Sequence, residues 1–136
     1  MDDFQCASKR HLHDAELLFD QVPKRLANAS HLFGLSAECS LKAIAQKIEP
    51  NAQFDRRNGK GHIPGLFAEL QNLSPMIGSN PDLGRHIASI QPQFANWNVA
   101  QRYASKTTFM EATVAVEQAG AKAAHLLMRN CVMELI

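Results

Sequence analysis

The chain has no surplus of charge of either sign. Against 14 Lys and Arg stand 13 Asp and Glu in 136 residues, a formal net charge of +1. That excludes a globally basic nucleic-acid coat, so an anion site must come from local clustering. Cysteine is sparse: Cys6, Cys39 and Cys131 are odd in number, far apart and without a CxxC pair. The pattern argues against a disulfide framework and against a cysteine zinc site. Cys39, inside a helical apolar pattern, reads as a small core residue. No apolar run approaches the roughly 18 residues of a membrane span. The opening MDDFQ carries acids where a signal peptide carries bases. HExxH, EF-hand and P-loop motifs are all missing, so neither a metal nor a cofactor is expected. No segment alternates with a period of two, and no internal repeat is visible. These absences leave a reduced, cytoplasmic, single-domain protein over residues 1–136.

What is present is helical periodicity. A first segment runs over about Lys9–Gln21, until Pro23 interrupts it. A second spans about Pro23–Ile48, where Leu26, Ala29, Phe33, Ala37, Leu41, Ile44 and Ile48 recur at steps of three and four. A second row, Leu32, Leu35, Cys39 and Ala43, implies burial on more than one side, as at the centre of a bundle. A third helix is expected over Ile63–Leu73, with Pro64 in its first turn. A fourth is expected over Pro81–Ile90, capped by Asn80. Thr108 and Glu111 read as a capping box opening a last helix over about Phe109–Met133. Its expected inward stripe is Ala112, Val116, Ala119, Ala123 and Leu126, small enough for another helix to approach closely. The segment FANWNVAQRYASK holds the one Trp and the one Tyr, as a helical turn or an ordered loop. The fold expected is all-α: an antiparallel up-and-down bundle of four to five helices.

Inside the second segment, AECSLKA places Glu38 and Lys42 in the gap between the two apolar rows. Glutamate before lysine at i,i+4 favours a mutual ion pair. Such a pair is either a half-exposed surface feature or part of a polar groove in the bundle wall. Ser36, Ser40 and Lys47 fill the other gap and read as the solvated side. RRNGKGH, residues 56–62, is a basic, glycine-containing loop running into a helix start, which suits a phosphate. Arg57-x4-His62 joins a charge stabiliser to a residue that moves protons near neutral pH. His11, His13, His31, His86 and His125 read as structural or surface residues.

The order of these segments resembles the HEPN family, the higher eukaryote and prokaryote nucleotide-binding domains. Its A-E-x-x-L-K-A segment matches at Glu38, Leu41 and Lys42. Its H-D-L-x-x-L-like segment matches at His62 and Leu66, and its late R-Y at Arg102 and Tyr103. The resemblance covers roughly Arg10 to the C-terminus. It implies a helical bundle, often dimeric, that binds nucleotides, partners a nucleotidyltransferase or cleaves RNA without metal. The ligand-binding residues it implies are Glu38, Lys42, His62, Arg102 and Tyr103, to which the basic loop adds Lys60. The catalytic candidates are His62 with Arg57 or Arg102, as in a toxin-like ribonuclease. The chain departs from the cleaving pattern in two places: no histidine follows Arg102 within reach, and Ile63 replaces the acid usual after the histidine. The non-catalytic alternative is a dimerisation protein. The apolar ending CVMELI, with Leu126, Leu127, Val132 and Leu135 unable to share one stripe, supports a homodimer.

Overall fold

A computed structural model describes residues 3–52, 54, 61–71, 81–105 and 108–132. Among them are five α-helices and no strand: α1 Phe4–Asp20, α2 Leu26–Ile48, α3 Gly65–Gln71, α4 Pro81–Ile90 and α5 Glu111–Val132. Two 3-10 turns, Gln91–Phe94 and Val99–Tyr103, link α4 to α5. The expected all-α bundle is the fold. None of the described helices is long and apolar enough to cross a membrane.

The element starts differ from expectation for local reasons. α1 begins before Lys9 because the Asp3 carboxylate accepts the Cys6 amide at 3.0 Å and caps the helix. The Thr108–Glu111 capping box does not form. α5 starts at Glu111, and the Val114 amide bonds the Met110 carbonyl, which makes Met110 the cap position. α3 begins at Gly65, and its expected end at Leu73 lies outside the described residues, as do Asn80 and the basic loop with Arg57 and Lys60.

α2 is the central helix, as its two apolar rows require. Phe33, Ala37, Leu41 and Ile44 are fully buried, and the Leu32, Leu35, Cys39 row is half-buried. α1 runs antiparallel to α2: Ser8 meets Ser36 and Ser40 near one end, and Phe19 meets Phe33 near the other. α5 runs parallel to α2, with Glu117 bonded to Ser30 at their N-terminal ends. Lys47 and Val132 share a groove at their C-terminal ends.

Two expected faces are turned around. Ser36 and Ser40 are not solvated but buried against α1. The Ser36 hydroxyl donates to the Ser8 carbonyl at 2.9 Å, and the Ser8 hydroxyl bonds both Ser40 and His125. Paired hydroxyls cost little to bury, and their small size lets α1 approach closely. On α5 the inward row is Val114, Glu117, Ala121, Ala124 and Met128. The expected stripe of Ala112, Val116, Ala119, Ala123 and Leu126 faces outward, with Leu126 57% exposed.

Candidate functional site

Glu38 is 2% exposed and is bound at the entrance to α3. Its Oε1 accepts the Ile63 amide at 2.8 Å, and its Oε2 lies 3.0 Å from His62 Nδ1. The first amides of a helix have no partner within it. Pro64 removes one donor there, and Glu38 takes another. Burial pushes the Glu38 carboxyl above its ordinary range, and the His62 and Ile63 hydrogen bonds pull it back. Those bonds place the Nδ1 proton of His62 toward the carboxylate. Nε2 is then the ring nitrogen left for a ligand, on a side chain 29% exposed.

The structure separates Lys42 from this pair. Among the described residues the ion-pair partner of Glu38 is His62, and Lys42 acts on the carboxyl only at longer range. Its ammonium lies instead 5.5 Å from the Phe4 ring centroid and 5.6 Å from that of Phe54. Two aromatic faces hold a desolvated ammonium well, so the i,i+4 spacing does not become the expected ion pair. Phe4 and Phe54 meet edge to face, 6.1 Å between centroids, and carry the start of α1 and the chain after α2 to this lysine.

The Arg102–Tyr103 segment docks elsewhere. It belongs to the turn Val99–Tyr103, which Asn98 caps and Gln101 ties down: Gln101 Nε2 donates to Ser30 Oγ at 2.7 Å. Ser30 precedes Glu38 by eight residues, about 12 Å along a helix. Tyr103 is exposed, and the side chain of Arg102 lies outside the described set. Where its side chains are described, the expected single cleft is therefore divided, with Lys42 apart from Glu38 and His62. Glu38 and His62 form one constellation, Lys42 sits in an aromatic cage, and the Arg102 turn is fixed two helical turns away. A groove of about 520 Å³ is lined by Asp3, Phe4 and Lys47 among others, and neither Glu38 nor His62 is among its described walls.

The second constellation was not read from the sequence. Ser30 donates to Glu117 Oε1 at 2.6 Å, and the Trp97 indole N–H donates to the Ser30 carbonyl at 2.8 Å. Glu117 is 3% exposed, and burial raises its carboxyl to about 7. The signal was available, since Glu117 occupies the 3–4 spaced row Val114, Glu117, Ala121, Ala124, Met128. A glutamate in that row made the all-apolar row look like the core. Among the described residues no cluster of three His, Cys, Asp or Glu fits a metal.

Glu117 gives the fold a pH dependence of definite sign. A carboxyl whose folded value lies above its ordinary 4.5 opposes folding once ionised. Its contribution is most favourable below 4.5, is lost as pH rises toward 7, and is constant above that. A shift of this size has an upper bound of about 3 kcal/mol, and solvent access through the adjoining pocket lowers it to about 2. Glu117→Gln removes the charge and keeps the acceptor for Ser30. It should raise stability by about 2 kcal/mol at pH 8 and leave it nearly unchanged at pH 4.5. Urea unfolding of both proteins across this range checks the prediction. Equal gains at both ends would show that ionisation is not the cause.

No family model matches the chain, and neither does any curated protein sequence or solved structure.

Proposed function

We propose that this chain is a HEPN-like helical domain that binds the phosphate of a nucleotide or of RNA at His62. The observation carrying this reading is the hold of Glu38 on both His62 Nδ1 and the Ile63 amide, at 3.0 and 2.8 Å. A buried carboxylate that fixes a half-buried imidazole directs Nε2 outward, and with the ring protonated Nε2–H can donate to an anion. The chain enters this histidine through Arg56, Arg57 and Lys60, so cations are covalently close to it. Glu38 is then a positioning residue, and His62 with the basic loop makes the contact.

The test is titration of the protein with ATP, GTP and a short labelled single-stranded RNA, with EDTA present. Binding should weaken roughly tenfold in His62→Gln, the effect expected for one charge-assisted hydrogen bond. It should weaken further when Arg57 and Lys60 are also replaced by Gln. Unchanged affinity in His62→Gln removes the reading.

The same dyad supports the second reading, metal-independent RNA cleavage. A carboxylate that orients an imidazole is the arrangement of a general base. RNA shortened in the presence of EDTA by the native protein, and left intact by His62→Gln, selects cleavage over binding. A nucleotidyltransferase partner belongs to the resemblance and is proposed on that ground alone.

The reading includes a homodimer through α5. The outward row Ala112, Val116, Ala119, Ala123 and Leu126 is apolar and mostly small, which lets a second helix pack closely. Light scattering at high micromolar concentration should give twice the 15.0 kDa chain mass. Ala123→Glu with Leu126→Lys should return it to one. A native monomer at that concentration removes the dimer.

A further inference from the structure

Between α2, the turn Val99–Tyr103 and the first half of α5 lies a pocket of about 300 Å³. Ser30, Gln101, Thr113 and Glu117 are among its polar walls, Phe109 and Met110 among its apolar ones, and no other described wall residue is charged. A second groove of about 290 Å³ shares Asn96, Thr113 and Glu117 with it, so the carboxyl lies where the two meet. Among the described walls Glu117 is thus the one ionisable group of a cavity large enough for a small organic molecule.

The hydrogen bonding around it is directional. The Ser30 hydroxyl has one proton, which it gives to Glu117 Oε1, and it accepts from Gln101 Nε2. Among the described residues Ser30 is the hydrogen-bond donor to this carboxyl. No basic side chain among the described pocket walls balances it. A carboxylate in such a place attracts a cation that can replace its lost hydration. Phe109 and Met110 offer an aromatic face and a polarisable sulfur, both suited to the body of such a cation.

We infer that this pocket binds a small organic cation, an ammonium or amidinium head, whose N–H groups meet the Glu117 carboxylate while Gln101 and Thr113 frame it. The site is separate from His62 and does not depend on the phosphate reading. The competing occupant is a neutral amide pairing with the protonated acid, and the two differ in their response to pH. A cation requires the ionised carboxyl, so its binding releases a proton below pH 7 and strengthens as pH rises. A neutral amide gains nothing from ionisation.

The experiment uses benzamidinium, methylguanidinium and n-butylammonium as cation probes and benzamide as the neutral isostere, followed by calorimetry and by amide chemical shifts. At pH 8 at least one cation should bind one to one at millimolar concentration or below, shifting the Gln101 and Thr113 resonances. The three cations separate planar amidinium from ammonium recognition. Affinity should fall roughly tenfold per pH unit below 7. Benzamide should not bind. Glu117→Gln should abolish binding with the helical circular dichroism unchanged. Thr113→Leu should fill the cavity and weaken binding while keeping the carboxyl. Benzamide binding as well as benzamidinium, undiminished affinity in Glu117→Gln, or no binding by any of the three cations at millimolar concentration overturns the inference.

Discussion

Glu38→Ala should destabilise the protein by about 3 kcal/mol, the combined effect of a buried unsatisfied amide and an unfilled side-chain site. The Ile63 amide has no helical partner and is buried with its residue. Without the carboxylate it loses its acceptor, and His62 loses the group that fixes its ring. The described part of α3, Gly65–Gln71, begins just after this contact, and the first amides of a helix have no partner within it. Glu38→Gln keeps an oxygen for Ile63 and should cost about 1 kcal/mol, the scale of one weakened charge-assisted bond. Lys42→Met keeps the stem between Phe4 and Phe54 and forfeits only cation–π attraction, again about 1 kcal/mol or less. A double-mutant cycle by urea unfolding should find coupling between Glu38→Gln and His62→Gln. Between Glu38→Gln and Lys42→Met it should be near zero. Strong Glu38–Lys42 coupling with none to His62 would show that the sequence-level ion pair, rather than the helix-start clasp, governs this region.

The contrast between these two pairings shows where reading a sequence stops. Spacing states which side chains share a helix face, and it placed Glu38 and Lys42 correctly in one gap of α2. It does not state what arrives from outside the helix. His62 and Ile63 come to Glu38 from 24 and 25 residues away, and Phe4 comes to Lys42 from α1. Periodicity was strongest where large apolar residues set it, along Phe33, Ala37, Leu41 and Ile44. It failed where side chains are small. Ser36 and Ser40 look solvated by composition, yet their size is what lets α1 close on them. On α5, two alanine-rich rows differ mainly by one glutamate. Hydropathy alone then selects the wrong row, because Glu117 is buried by virtue of Ser30, a residue 87 positions earlier. The all-α class survives such errors because it needs only the period, whereas a site needs the partner.

The second large effect is expected at a glycine. Ser30, His31 and Gly34 form one turn of α2 on which Trp97 lies. The indole N–H bonds the Ser30 carbonyl, the ring stacks on His31 at 14° between planes, and Gly34 supplies the bare backbone. A Cβ at position 34 would fall inside the Trp97 ring, against Cε2, Nε1 and Cζ2. The neighbour is the rigid body of a fully buried indole, not the end of a flexible chain. Asn98, its next residue, is held in a capping box with Gln101, so the ring cannot withdraw without loosening the turn behind it. Alanine favours a helix interior over glycine by about 1 kcal/mol, a gain too small to offset loss of the indole hydrogen bond and much of its buried area. Gly34→Ala should therefore cost about 3 kcal/mol net, at the upper end for overpacking. Gly120→Ala is the control. Its added Cβ would lie 2.7 Å from Phe94 Cε2 and 3.0 Å from Gln93 Cβ, a shallower overlap than at position 34, although Phe94 is buried. Its net cost should be about 1–2 kcal/mol. Trp97 is the one tryptophan, so fluorescence reports directly on the expelled ring. Gly34→Ala should move its emission to the red in the folded protein, and Gly120→Ala should not. Pairing Gly34→Ala with Trp97→Leu should recover part of the lost stability, because the smaller side chain leaves room for the new methyl. Native-like emission and stability in Gly34→Ala alone would mean that the indole does not rest on α2. The Ser30–Gln101–Glu117 arrangement behind it would then lose its support.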